Sequence, residues 1–281
     1  MADTVPPPAP PAGSLAEFVR RHDPDRFLCA LFAPPARREA LFALVAYNHE
    51  LARAREAART PMAALIRLQW WRDAVEEAAA GKPPRRHEVA EPLARAIGDG
   101  SLGAADLLAL ADAREAEAEE EGDGLPGVPA FHTYLRGTAG ALAVVAGRLL
   151  GAPPEALPGL QRRGTAYGAT GVLRAVPALA RLGRCLLPAD ALAAHGLTAA
   201  KGVRDPTAAA LGAVAADLLD AEEVRAPPPE RLPPSWIAAA LPAVLARRDA
   251  RRLRECGVAA DPARTTGDKL AVTLAALRGR S

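Results

Sequence analysis

The feature that most constrains this chain is a series of long apolar runs with helical spacing, separated by proline and glycine. In the run from Arg38 to Arg59, mainly apolar residues recur at the i, i+3, i+4 and i+7 positions that share one face of a helix. No segment shows the alternating β-branched pattern typical of strands. The 27 prolines and 23 glycines fall mostly between the runs. We therefore predict an all-α fold, a bundle of many helices.

Capping residues predict where several of these helices begin, because side-chain oxygens of Ser, Thr and Asp bind the free N–H groups of a first turn. The candidate N-caps are Ser14 with Glu17 as its capping-box partner, Asp25, Thr60, Ser101 and Asp205. A long helix is predicted from about Leu157 to Leu182. It contains Pro177, which removes a hydrogen bond and is expected to bend it.

The first 13 residues, MADTVPPPAPPAG, predict a disordered Pro/Ala tail, and residues 14–281 a single helical domain. The tail lacks the features of a secretory signal and of a mitochondrial presequence. No stretch approaches the roughly 20 apolar residues of a transmembrane helix. We expect a cytoplasmic protein with no transmembrane span.

Charge and cysteine content exclude some classes of partner. The formal net charge is only +2, and acidic and basic residues share the same helices, so a nucleic-acid partner is not expected. The three cysteines, Cys29, Cys185 and Cys256, lie far apart without zinc-site or disulfide spacing. Each is expected to be a buried small residue.

Common catalytic motifs are missing: there is no G-x-G-x-x-G after a strand, no phosphate-binding G-x-x-x-x-G-K, no H-E-x-x-H and no G-x-S-x-G in a suitable setting. The five histidines lack ligand spacing. Asp112, Glu115 and Glu119 recur on one helix face and offer a candidate Mg²⁺ site. We favour the plainer interpretation, a solvated face with ion pairs along it.

Several stretches together are similar to one enzyme family. They are Asp25-Arg26-Phe27 through REALFALVAYNHELARARE, IRLQWWRDAVEEAAAGKPPRRHEV, FHTYLRGTAGALAVVAGRLLG and GTAYGATGVLRAVPALARLGRCLLP. They resemble the squalene/phytoene synthase family, all-α enzymes that join two prenyl diphosphates head to head. The resemblance covers nearly the whole chain after the tail. It implies a single-domain bundle of the isoprenoid synthase type around a central cavity.

The departures from the family pattern concern its metal site. Family enzymes hold Mg²⁺ and the substrate diphosphates between two aspartate-rich helices. The resemblance places the first motif at Ala52, Arg53 and Glu56, and the second at Ala175, Ala178 and Leu179. Only Glu56 is a carboxylate, and Mg²⁺ requires several oxygen ligands. The resemblance therefore implies no catalytic residue, no metal ligand and no cofactor.

Five residues are candidate ligand-binding residues on the wall of the cavity: Tyr47, Asn48, Glu56, Arg174 and Arg184. The two arginines match the family pattern and are suited to hold an anion. An ion pair within the bundle for Arg174, a turn cap for Arg184 and a core amide for Asn48 remain open alternatives. Trp70 and Trp71 are expected to pack, with at most one of them facing a partner.

The chain is similar to a branch of the family that acts in assembly of respiratory complex I. We expect a non-catalytic protein that binds a prenyl or lipid ligand or helps to assemble a membrane protein complex, peripheral to the inner membrane. One alternative is an active head-to-head prenyltransferase with an altered metal site, for which Mg²⁺ would be the cofactor. Another is a structural helical module that binds a partner protein. The segment LAVTLAALRGR is suited to a membrane interface as an amphipathic helix.

Overall fold

A computed structural model describes residues 13–119, 123–200, 209–258 and 263–281. Residues 1–12 of the predicted tail and the candidate cap Asp205 lie outside these ranges. The described residues contain no β-strand, only two isolated bridges, Leu125–Pro188 and Arg231–Arg280. The prediction of an all-α fold is therefore confirmed.

Within the described ranges, fifteen α-helices follow one another. They are α1 (Leu15–His22), α2 (Pro24–Ala30), α3 (Pro35–Glu56), α4 (Pro61–Ala79), α5 (Ala90–Gly98), α6 (Ala104–Asp112), α7 (Glu115–Ala118), α8 (Val128–Leu135), α9 (Ala141–Leu149), α10 (Leu157–Arg181), α11 (Ala189–Ala194), α12 (Ala209–Asp220), α13 (Ile237–Ala240), α14 (Pro242–Cys256) and α15 (Thr266–Arg278). A π-helical turn, Arg136–Gly140, joins α8 to α9. Short 3₁₀ turns occupy Pro154–Ala156 and Glu222–Val224.

Two of the predicted N-caps are confirmed. The Ser14 hydroxyl accepts a hydrogen bond from the Glu17 N–H at 3.2 Å, and Thr60 caps α4 in the same way. The Glu17 carboxylate does not complete the predicted capping box, because it binds the Arg20 guanidinium instead. The Ser14 hydroxyl thus caps the first turn of α1, while the Glu17 carboxylate forms an ion pair with Arg20.

Two other caps were predicted wrongly. The carboxylate of Asp23, not that of Asp25, accepts the first-turn N–H of α2, because Asp23 directly precedes Pro24, the first residue of the helix. Ser101 caps nothing, since α6 begins after Gly103 without a side-chain cap. The acidic run that follows is also not one helix, because it is interrupted between α6 and α7.

The long helix α10 lies at the centre of the bundle and packs against α9, the π-helical turn and α14. Small residues permit this close approach: a Cβ on Gly164 would lie 2.3 Å from the Ala139 carbonyl oxygen. The helix continues past Pro177 to Arg181. The helix contributes to both large apolar clusters, one built mainly from α1–α6, α9 and α13 and the other from α8, α10, α11 and α12.

Two further features bear on partners and chemistry. No helix in the described ranges is both long and apolar enough to cross a bilayer. Cys29 and Cys185 are buried as expected, whereas Cys256 is exposed at the end of α14 and corrects that expectation. Burial raises the pKa of the Cys29 thiol far above its ordinary value, so this group stays neutral.

Candidate functional site

An open cleft of about 920 Å³, its mouth included, lies between α3 and α10. From α3 it receives Ala52 and Glu56, and from α10 it receives Ala175 and Leu179. These four residues stand at positions that the family resemblance assigns to the two aspartate-rich motifs. The predicted central cavity therefore lies where those motif helices meet, and three of the four side chains presented there are apolar.

The remaining motif positions lie elsewhere. Arg53 faces a separate groove with Trp70, on the other side of α3, and Ala178 is exposed outside the lining of the cleft. A helix turns 100° per residue, so neighbouring positions such as Ala52 and Arg53 point in different directions. Of the positions that the resemblance assigns to the two motifs, one thus contributes a carboxylate, that of Glu56, to the cleft.

A buried charge network forms one wall of the cleft, and Glu117 lies at its centre with 7% of its surface exposed. Its carboxylate accepts hydrogen bonds from Arg114 Nη1 at 2.8 Å and from the Tyr134 hydroxyl at 3.0 Å. Arg184 Nη2 donates to the Glu117 carbonyl oxygen at 3.3 Å. Arg114 also donates to the Asn48 side-chain oxygen at 3.0 Å. The protein's own arginines therefore compensate the Glu117 charge.

A second ion pair also lines the cleft, next to the inner chamber described below. Arg26 Nη1 donates to the Asp23 carboxylate at 2.8 Å, and the guanidinium lies 4.7 Å above the centre of the Tyr167 ring. Burial by itself lowers the pKa of Arg26, but Asp23, Tyr167 and Asp25 together more than compensate and the pKa is raised overall. The Asp23 carboxylate is thus held by a permanently charged neighbour.

Behind this pair lies a small inner chamber with about 40 Å³ of space for a water-sized sphere. It shares Arg26, Ala139 and Tyr167 with the cleft and is otherwise lined almost wholly by alanine, leucine and valine. Its second cation, Arg163, is also neutralised, because Nη2 donates to the Glu230 carboxylate at 2.7 Å. The polar cleft and the apolar inner chamber therefore adjoin each other at Arg26 and Tyr167.

The structure brings only two of the five predicted cavity residues together. Asn48 and Glu56 line the cleft. Tyr47 does not, because its fully buried hydroxyl donates to the Leu107 carbonyl oxygen at 2.9 Å and its ring packs edge-on against Trp71. A role of Asn48 and Glu56 in binding a ligand stays a prediction.

The two predicted arginines lie outside the lining of the cleft. Arg174 Nη1 donates to the Asp249 carboxylate at 3.3 Å, and Arg184 contacts Glu117 from behind the cleft wall. The expectation that they line the cavity is corrected, because buried carboxylates attract both side chains into the bundle. Arg174 therefore forms an ion pair within the bundle, which is one of the alternatives that the sequence left open.

The sequence-based reasoning missed the largest buried charge cluster. Asp249 is fully buried on α14, and Arg264 donates to it through Nη1 at 2.6 Å and Nη2 at 2.8 Å. Arg264 also binds Asp25, and Asp25 accepts a hydrogen bond from the Tyr167 hydroxyl at 3.0 Å. No local spacing signals these contacts, because the partners come from distant parts of the chain.

The acidic stripe on α6 and α7 lies on the outer surface and not on the cleft. Arg72 donates to Asp112 at 2.7 Å and to Glu115 at 2.5 Å, and 62% and 48% of those acidic side chains are exposed. Glu119 is exposed as well. The acidic stripe is therefore a solvent-exposed face on which Asp112 and Glu115 form ion pairs with Arg72.

The residues of the cleft do not fit a Mg²⁺ cluster. Asp23 and Glu117 are already bound by arginines, and Glu56 lies apart at the exposed mouth. Across the described ranges, no group of three or more His, Cys, Asp or Glu side chains is arranged to hold a metal ion. A divalent cation bound in this cleft would have to displace an arginine from its carboxylate.

Among known proteins, the chain is similar to assembly factor 6 of NADH dehydrogenase (ubiquinone) complex I. The human protein is 28% identical over 183 residues, which cover 65% of this chain and 54% of that protein. The rat protein is 29% identical over the same coverage. The Drosophila melanogaster homolog is 25% identical over 193 residues, 66% of this chain and 57% of that protein. The chain thus spans about half the length of the curated relatives it matches.

Solved structures confirm the type of fold. A dehydrosqualene synthase in complex with ligand superposes with a TM-score of 0.67 at 14% identity, covering 94% of both chains. Squalene synthase HpnC from Alicyclobacillus acidocaldarius superposes with a TM-score of 0.66 at 17% identity, covering 86% of this chain and 92% of that one. The model of the squalene/phytoene synthase family matches residues 19–276. This chain therefore belongs to the squalene/phytoene synthase family.

Proposed function

We propose that this protein is a non-catalytic member of its family that acts in assembly of a respiratory complex. The observation that carries the proposal is the state of the cleft. Ala52 and Ala175 present methyl groups at positions that the resemblance assigns to the motifs, and arginines already bind the carboxylates of Asp23 and Glu117. The similarity to complex I assembly factor 6 supports the same role. The proposed location is the cytoplasm, peripheral to the inner membrane.

The physical argument concerns the leaving group. Ionisation of a prenyl diphosphate develops charge on the departing diphosphate, and the family's Mg²⁺ ions neutralise it. In this chain the arginines next to the cleft are committed to Glu117 and Asp23, so they are not disposed to take over that task. A cleft of this kind is suited to binding rather than to ionising a ligand.

The inner chamber supports a ligand as part of this function. It has the apolar lining that a prenyl or lipid chain needs, and Arg26 lies between this lining and the polar mouth. We include in the proposal that such a chain lies in the cleft and extends its apolar end toward the chamber, without being ionised. No cofactor is required for either role.

The first experiment tests the absence of catalysis. Purified protein is incubated with farnesyl or geranylgeranyl diphosphate and Mg²⁺ or Mn²⁺, and diphosphate release and extractable hydrocarbon are followed. We expect no turnover above a heat-denatured control, with an active squalene synthase run in parallel. Turnover would establish the alternative, an active head-to-head prenyltransferase with an altered metal site.

The second experiment tests the assembly role in the native host. Deletion of the gene is expected to reduce the amount of intact NADH dehydrogenase complex on a native gel, and expression of the chain is expected to restore it. An unchanged amount of complex after deletion contradicts the assembly role.

The chamber is tested separately by calorimetric titration with farnesol, which has no diphosphate to ionise. Ala239→Leu, which fills part of the chamber, is expected to weaken binding at least tenfold. Ala80→Leu, an exposed position after α4, serves as the matched control and is expected to bind like the parent chain. Equal binding by the Ala239→Leu variant would remove the ligand from the proposal.

A further inference from the structure

Helix α15 has apolar residues on its outward face as well as on its inward face. Inward, Val272 is fully buried against the bundle. Outward, 55% of Leu270 and 74% of Leu277 are exposed, and Leu274 between them is half-buried. The spacing of four and three residues aligns these leucines in one ridge along the helix.

Basic residues border this ridge on both sides. With 100° of rotation per residue, Lys269 and Arg278 lie on opposite flanks of the leucines, and both are exposed. Arg280 follows the helix and is exposed as well, bridged through its backbone to Arg231. The outward surface of α15 therefore combines apolar side chains with charges of a single sign.

Among the residues that the structure describes here, acidic side chains do not offset these charges on the same face. The acidic residue of α15, Asp268, is fully buried and accepts hydrogen bonds from Arg248 and Arg252, each at 2.6 Å. The carboxylate of Glu230, next to the backbone bridge, is bound by Arg163. The positive charge at the flanks is thus available to an external partner.

The ridge is rigidly placed. Thr265 and Asp268 form a reciprocal capping box at the first turn of α15. The two arginines on Asp268 tie this turn to α14, and Val272 anchors the next turn in the core. The exposure of Leu270 and Leu277 is therefore a property of the folded helix and not of a frayed end.

We propose that this face, defined as Lys269, Leu270, Leu274, Leu277 and Arg278, docks on an anionic lipid surface, with α15 lying parallel to the membrane. Leucines enter the boundary between headgroups and acyl chains, while the flanking cations meet anionic headgroups. Thirteen residues are too few to span a bilayer, which takes about 20. The positive charge on both flanks favours an anionic membrane over a neutral one. It also disfavours a second copy of the chain, because two identical basic faces would repel each other.

The test is co-sedimentation of the full chain with vesicles of phosphatidylglycerol and phosphatidylcholine, compared with phosphatidylcholine alone. We expect binding to the anionic vesicles that weakens with added salt. The double variants Leu270→Ser/Leu277→Ser and Lys269→Glu/Arg278→Glu are each expected to reduce the partition coefficient at least tenfold. Because the substituted side chains are exposed, the melting temperature should not change.

Leu182→Ser is the matched control, since Leu182 is a leucine of similar exposure, 60%, at the end of α10. It is expected to bind vesicles like the parent chain. The proposal is overturned if the parent chain binds neutral and anionic vesicles equally, or if the double variants bind as the parent does. It is also overturned if sedimentation shows a dimer that Leu270→Ser/Leu277→Ser dissociates. The result does not depend on the role in complex assembly, because it needs neither the cleft nor the complex.

Discussion

Asp25 and Arg264 are 239 positions apart in the chain and form a two-pronged ion pair: Nε and Nη2 of the guanidinium donate to the carboxylate at 2.9 and 2.6 Å. The same guanidinium holds the fully buried Asp249. Arg264 thereby joins α2, near the start of the bundle, to α14, near its end.

Replacing Arg264 by methionine is expected to destabilise the protein by about 3–5 kcal/mol, because it leaves two carboxylates in the interior without their main partner. Urea unfolding measures the loss. The control is Arg254→Met, which breaks an ion pair to Asp220 whose side chains are 40% and 67% exposed and should cost less than about 1 kcal/mol. Equal losses of unfolding free energy for the two variants would contradict the expectation that the buried ion pairs of Arg264 contribute more to stability than the exposed pair of Arg254.

Two glycines of α10 are expected to respond to alanine in opposite directions. Gly164→Ala would place a Cβ 2.3 Å from the Ala139 carbonyl oxygen and 2.7 Å from the Ala143 Cβ, and should destabilise by about 1–3 kcal/mol through overpacking. Gly171→Ala meets nothing within 4 Å and should stabilise by about 0.5–1 kcal/mol through helix propensity. Thermal unfolding of both variants distinguishes steric crowding from propensity.

His49 is expected to make stability depend on pH. Burial first, and then the charges of His22 and Arg53, lower the pKa of His49 from 6.5 to about 4, and its buried Nε2 has no hydrogen-bond partner. The unfolded chain therefore binds more protons than the folded one between about pH 4 and 6.5, so stability rises with pH across this window. Since the group is partly exposed, we predict the sign of the slope and not its size.

The measurement is the free energy of unfolding of the parent chain and of His49→Leu, at intervals from pH 4.5 to 7. The variant should show a shallower rise with pH than the parent. Parallel curves would show that other groups cause the dependence.

The three cysteines should differ in reactivity. Cys256 is exposed, whereas Cys29 and Cys185 are buried. A thiol reagent such as Ellman's reagent is expected to modify one group rapidly in the native protein and the other two only after unfolding, since modification needs an accessible thiolate. Cys256→Ser should abolish the rapid phase, and its survival would place a second reactive thiol on the surface.

Local sequence determined the helices and many of their ends. The apolar period of α3 predicted a long helix where the structure has one, and Ser14 and Thr60 predicted caps that the structure contains. Both signals act within one or two turns, so they can be recognised in sequence. The prediction failed at Asp25, where two aspartates flank one proline and only backbone conformation decides which of them caps.

The site was predicted only in part, because many of its contacts join residues that lie far apart in the sequence. Glu56 was placed on the cleft by the resemblance of α3 to the family's first motif helix, and Asn48 by its position on the same helix. Arg174 and Arg184 could not be placed, since a long charged side chain reaches whichever buried carboxylate the tertiary fold brings near. The chain offers 35 basic and 33 acidic residues, so the number of possible pairs is far too large for spacing to select among them.

The sequence by itself thus determined an all-α chain, the order of most of its helices and the apolar character of the cleft at Ala52 and Ala175. Only the tertiary structure decided which polar side chains meet, such as Asp25 with Arg264 in an ion pair and Asn48 with Arg114 in a hydrogen bond. Helix formation depends on neighbours a few residues apart, whereas an ion pair depends on distance in space, which is fixed only when the helices pack.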